Sequence, residues 1–227
     1  MPTAPTFTSV TAQTGFIQIS YANVGAGDHN QIWRYCADEY GGLFIKIADS
    51  LPWLVGALLF NDFAVASGKG YAYFLVAVDS GGITAASATK SMSLTLSSGW
   101  LHSVTKTDTT SGTASNAVSS MSLLDLIPHT RQYGLASASY LLANATTPTV
   151  AVGNIEEIGV GLTNRVPNTV DSNRQTLRDI YESRRYVCFR DTRGNKFFGQ
   201  LVYNEQYQAT YTDLSIGFLV RDFTEAL

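Results

Sequence analysis

Charge is scarce in this chain of 227 residues: Asp, Glu, Lys and Arg together make up 15% of it, against about a quarter in ordinary soluble domains. Ser and Thr fill the gap, which gives a wet but weakly charged surface, better suited to lasting contact with protein than with phosphate. The net charge is −3 and there is no basic block. The dense cationic stripe needed to neutralise a phosphate backbone is therefore missing, and nucleic-acid reading is not expected. The one cationic cluster, Arg184, Arg185, Arg190, Arg193 and Lys196, is interleaved with Asp179, Glu182 and Asp191 and reads as locally paired. Cysteine is limited to Cys36 and Cys188, far apart and each inside an apolar run, which suits free buried thiols better than a disulfide. The histidines, His29, His102 and His129, stand apart, with no metal-ligand spacing among them. Glycine-rich phosphate cradles and a Gly-x-Ser-x-Gly elbow are also missing. No metal, cofactor or catalytic residue is expected, and the chain is not read as an enzyme. The longest apolar run, LPWLVGALLF, is about half of what crosses a bilayer. The N-terminal MPTAPTFTSV lacks the regions of a signal peptide. Synthesis in a cytoplasm, without a membrane segment, is the expectation.

What the chain does have is apolar content, 45% of its residues, enough for a sizeable core. Residues 5–95 read as short strands. GFIQISY alternates, with Ile17, Ile19 and Tyr21 on one side. GYAYFLVAV puts Tyr71, Tyr73, Leu75 and Ala77 on one face. Turn signals such as GAGD, YGG, SGKG and DSGG break the runs at the intervals of an all-β sandwich. A tyrosine at the start of a late strand, as Tyr71 is, can bond back to the backbone and pin a sandwich corner.

The stretch SSGWLHSVTKTDTTSGTASNAVSS is rich in Ser, Thr and Gly and reads as a linker or docked loop over 99–119. Trp100 and Leu101 within it are expected to dock on a neighbour. The rest, 120–227, reads as an antiparallel β-barrel with a helix at about 172–185, where Leu177, Ile180 and Tyr181 line one face. A hairpin follows, YVCFRDTRGNKFFGQLVY, whose turn carries Gly194 and Asn195. Val187 and Phe189 on one face and Tyr186 and Cys188 on the other make its first strand apolar on both sides, the mark of a strand buried twice. One face meets the core, and the other is expected to meet a helix or another subunit. At the tip, Arg190, Asp191, Arg193 and Lys196 suit ion pairs that set register between neighbouring subunits.

Two resemblances add to this. The SGKGYAYFLVAVDSGG run resembles the late strands of a fibronectin type III module over about the first 95 residues, with the departure that Ile17 and Ile19 stand where the second strand usually carries a core tryptophan. The missing bulk is assigned to Trp33. The last 60 or so residues resemble the end of minor tail proteins of long-tailed bacteriophages: a short helix, then Val187, Cys188, Phe189, Arg190, Asp191, Arg193 and Gly194, then Phe198, Gly199 and Leu201, and finally Asp222, Phe223, Thr224 and Glu225. This resemblance implies a distal-tail or baseplate protein. It would be a ring of six or three copies, contacting the tail tube and hub, located in the virion tail, with the fibronectin III-like sandwich of residues 1–98 projecting outward. The interface residues it implies are Arg190, Asp191, Arg193, Gly194, Lys196 and Phe198.

The alternative is a carbohydrate-binding adhesin that contacts a host-surface glycan through Trp33 and Trp53, of which Trp53, next to Pro52, is the one expected to be exposed. A hydrolase built on Glu156 and Glu157 is a third possibility, weakened because adjacent strand residues point to opposite faces.

Overall fold

The computed structural model describes residues 1–54, 56–110, 113–123, 130–140, 149–167, 171–207, 209–220 and 223–227. It is mainly β. The strands are β1 (Thr6–Gln13), β2 (Phe16–Ala22), β3 (His29–Tyr35), β4 (Ile45–Pro52), β5 (Ala57–Asp62), β6 (Gly70–Val78), β7 (Thr84–Ala86), β8 (Lys90–Ser93), β9 (Gly99–Thr110), β10 (Thr113–Leu123), β11 (Thr130–Tyr140), β12 (Thr149–Pro167), β13 (Val187–Arg190), β14 (Lys196–Tyr207) and β15 (Tyr211–Val220), with the helix α1 (Asp171–Glu182) ahead of β13.

In the first half the sequence alternation becomes burial. β2 buries Ile17, Ile19 and Tyr21, and β6 buries Tyr71, Tyr73, Leu75 and Ala77. These inward rows belong to two sheets, one holding β1-β2-β5 and the other ordered β4-β3-β6-β7, and all but Ala77 share one apolar cluster with Ile32, Leu51 and Phe60. The Tyr71 hydroxyl accepts the backbone N–H of Ala66 at 2.7 Å, fixing the chain just before β6. The core bulk comes from Tyr71, Tyr73 and Phe60. Trp33 is directed away from it, because β3 buries Asn30, Ile32 and Arg34 and leaves Gln31, Trp33 and Tyr35 on the outer face.

The segment expected as a linker or docked loop is strand. β9 and β10 pair with each other, and β10 also pairs in parallel with β5, Ala114 opposite Phe60. The Ser and Thr content that suggested a flexible link is equally compatible with the pleat, where β-branched and small side chains pack well. Leu101, Ala114, Met121 and Leu123 bury themselves at intervals along the two strands. The β10–β5 pairing makes one sheet of ten strands out of the two halves, ordered β1-β2-β5-β10-β9-β13-β14-β15-β12-β11. A barrel was expected for the second half. Among the described residues neither sheet closes, and β1 and β11 stand at the two ends of the long one.

α1 covers one face of that sheet. Leu177 and Ile180, three residues apart and therefore on one side of a helix, sink into a cluster with Leu101, Phe189, Leu201, Ile216 and Phe218. Tyr181, expected on the same side, is 48% exposed. The helix stops short of residue 185 because the Ser183 hydroxyl donates to the Ile180 carbonyl at 2.7 Å and Arg184 turns left-handed, φ +52°. Arg178 reaches across to Glu205 on β14 at 3.0 Å.

Candidate functional site

The 186–203 hairpin is held from three sides. β13 pairs with β14 on one edge and β9 on the other, placing Cys188 opposite both Phe198 and His102. All four β13 residues are buried. Val187 and Phe189 face the α1 cluster, while Cys188 joins Ala64, Val104 and Phe198, against which Phe223 packs. The second apolar face thus meets the N-terminal half and the C-terminal segment of the same chain.

The hairpin turn is built by Asp191. Its carboxylate accepts the N–H of Arg193 and of Asn195, each at 2.9 Å, and the Asn195 amide at 2.6 Å. Gly194 completes the turn at φ +85°, and a Cβ there would come within 2.9 Å of the Ser67 carbonyl oxygen. Both the conformation and the close approach require glycine.

Of the polar residues of this hairpin, expected to point outward to another subunit, Arg190, Asp191 and Lys196 turn inward. Arg190 is fully buried and donates to the carbonyls of Val65 at 3.1 Å and Gly15 at 2.7 Å. Burial lowers its pKa. Lys196 donates to Glu39 at 2.7 Å, Glu225 at 2.9 Å and the Ala64 carbonyl at 3.1 Å. Phe198 is stacked by Phe223 at 4.9 Å. Among Arg190, Asp191, Arg193, Gly194, Lys196 and Phe198, only Arg193 is exposed. Arg190 and Lys196 thus find carbonyls and carboxylates within their own chain, which corrects the expectation of intersubunit ion pairs for these two cations.

Lys196 is one member of a buried ladder of alternating charge, Asp62–Arg34–Glu225–Lys196–Glu39. Arg34 Nη1 donates to both Asp62 oxygens at 2.9 Å and its Nη2 to Glu225 at 2.7 Å. The exposures of these side chains run from 0% to 9%. Hydroxyls and an amide close the ends: Tyr73 and Asn116 donate to Asp62, and Tyr71 donates to Glu39. Burial raises the Glu225 carboxyl to about 7 and lowers Lys196 to about 8. Burial opposes ionisation of Asp62 and Glu39 too, but Arg34 and Lys196 respectively hold them below the usual carboxylate range. With each charge beside one of opposite sign, and Lys69 3.8 Å from Glu39 at the open end, the ladder fastens β3, β5, β14 and the 223–227 segment together.

The aromatic candidates lie elsewhere. Trp33 sits in a strip on the outer face of β3 and β6, parallel to Phe74 at 5.7 Å, with its Nε1–H given to Gln31. Phe44 bridges Phe74 and Tyr35 in the same strip. Trp53 is half-buried over Gly27, where a Cβ would come within 2.5 Å of its ring. The side chains of Glu156 and Glu157 lie outside the described residues. Among the described residues no group of three or more His, Cys, Asp or Glu side chains could hold a metal ion, and no helix is long and apolar enough to cross a membrane.

Sequence reasoning missed Arg34, Asp62, Glu39 and Asn116. A signal existed for the first two: Arg34 falls on the Ile32 face of its strand and Asp62 on the Phe60 face of its own, so each is a charge written into an inward row. Comparison with protein-family models and with curated proteins finds no match for the chain.

Proposed function

We propose that the chain is a structural subunit of the tail tip or baseplate of a long-tailed phage, assembling with other copies of itself and with neighbouring tail proteins rather than turning over a substrate. The observation that carries this reading is the buried charge ladder, because it gives Glu225 of the terminal signature a fastening role. Phe223 and Glu225 are the residues that lock the hairpin onto the first half. The order β1-β2-β5 against β4-β3-β6-β7 supports a fibronectin III-like sandwich at the N-terminal end.

In this reading the ring contact lies away from the hairpin. Copies pair through sheet edges, whose backbone groups suit pairing with another chain; among the described residues β1 and β11 end the long sheet and β4 and β7 the other. Light scattering on the purified full-length chain tests assembly: masses at three or six times 24.6 kDa are expected, and a monomer at every concentration would remove the ring. Immunogold labelling of particles that encode the chain tests location. Label at the tail tip supports the assignment, and particles that do not label refute it.

A further inference from the structure

A cleft of about 460 Å³ opens where the β1–β2 turn meets the 93–97 segment, with Trp100 in its lining. That volume lies within the range of about 300–1,000 Å³ common for small-ligand sites. Burial alternates along the 93–97 segment. Leu94 and Leu96 enter the core cluster, and Ser93, Thr95 and Ser97 face out as a row of hydroxyls. The segment is anchored from below: Leu96 N–H donates to Ser67 Oγ at 3.0 Å and the Leu94 carbonyl accepts from Gly68 at 2.7 Å. The opposite wall carries Gln13, Thr14 and Gly15. Gly15 lies against the benzo ring of Trp100, and its carbonyl is held by Arg190.

The cleft lining contains no charged side chain. It offers hydroxyls, one amide and one indole, all on anchored backbone. Phosphates and carboxylates would find no counter-charge there, and an apolar ligand would leave the hydroxyls unsatisfied. A ring that is apolar on its faces and ringed by hydroxyls matches both parts, stacking on the indole while exchanging hydrogen bonds with Gln13, Thr14, Ser93, Thr95 and Ser97. Trp100, an aromatic that stands out in a stretch of Ser and Thr, is half-buried: it packs against the N-terminal core cluster and also borders the cleft.

We infer that the cleft beside Trp100 is a binding site for a neutral oligosaccharide. The site is separate from Trp33 and Trp53, and it does not depend on the tail reading. Trp33 already shares its strip with Phe74 and gives its N–H to Gln31, whereas the cleft combines an aromatic with unclaimed hydroxyls.

The test uses the full-length chain and saturation-transfer NMR with cellotriose, maltotriose and chitotriose, and with a hyaluronan tetrasaccharide as the charged comparison. Thr95→Arg fills and charges the cleft from an exposed position without touching the core, and a thermal melt checks that it folds. Saturable binding of at least one neutral triose is expected, weakened about tenfold or more in Thr95→Arg and unchanged in Trp33→Ala. The assignment is overturned if none of the trioses binds at about 20 mM, or if the hyaluronan fragment binds in preference to them. It is also overturned if binding survives Thr95→Arg, and loss in Trp33→Ala would move the site to the aromatic strip.

Discussion

Arg34 and Glu225 meet at 2.7 Å across 191 positions of sequence, both buried. Glu225 is also held by Lys196, so one carboxylate joins a strand of the first half to a strand of the second. Removing it leaves two buried cations short of a partner. Breaking such a buried pair costs about 3–5 kcal/mol. Glu225→Ala is expected to lower the urea midpoint accordingly, while Glu225→Gln, which keeps an acceptor, loses clearly less. Equal losses would show that the ladder does not depend on the carboxylate.

The raised Glu225 carboxyl predicts a pH signature. Its ordinary value is 4.5 and its folded value about 7. A folded pKa above the unfolded one contributes stability that is fully present below the unfolded value and is lost as pH rises through the folded value. Lys196, lowered from 10.5 to about 8, changes its contribution mainly above that pH. Asp62 and Glu39, both lowered, lose theirs only in acid. Between about pH 5 and 7.5 the melting temperature of the wild type is therefore expected to fall relative to Glu225→Gln. A constant difference across that window would contradict the raised pKa.

Arg190 and Arg193 stand three residues apart and are predicted to behave oppositely. Arg190→Ala strands the carbonyls of Val65 and Gly15 and opens a cavity, a loss of about 3 kcal/mol or more. Arg193→Ala, at an exposed position, is expected to stay within about 0.5 kcal/mol. Equilibrium denaturation of the two variants decides this, and comparable losses would place Arg193 in the same fastening.

Because one sheet spans both halves, they are expected to unfold together. Calorimetry on the full chain should give equal calorimetric and van't Hoff enthalpies. A fragment of residues 1–98 would retain Arg34 and Asp62 but lose Glu225, Lys196 and the β10 edge. It is expected to melt well below the full chain. Two resolved transitions in the intact protein would show that the ladder and the β5–β10 pairing do not couple the halves.

Local periodicity made much of the fold legible. The inward rows of β2 and β6, the helix face of Leu177 and Ile180, the backbone bond of Tyr71, the doubly buried β13 and the two free thiols could all be read from neighbouring residues. The errors share a cause. Composition made 99–119 a linker because Ser and Thr serve loops and strands alike, and only the pairing of β10 with β5 decides between them. The inward turn of Arg190 and Lys196 was hidden because their partners, Val65, Gly15, Glu39 and Glu225, lie up to 175 residues away. A sequence pattern indicates which face of a strand is apolar, but not what will come to cover the other face.

The ladder also sets an order of events during synthesis. Arg34 leaves the ribosome long before Glu225, and at about 5–20 residues per second the 191-residue gap lasts about 10–40 s. Throughout that interval the nascent first half carries Arg34 without Glu225, and until residues 113–123 emerge it also lacks the strand β10 that will flank β5. Its early contacts are then made with an uncovered sheet edge, so crowding on polysomes, where many nascent copies sit side by side, is the stage at which this chain is most open to pairing with the wrong molecule.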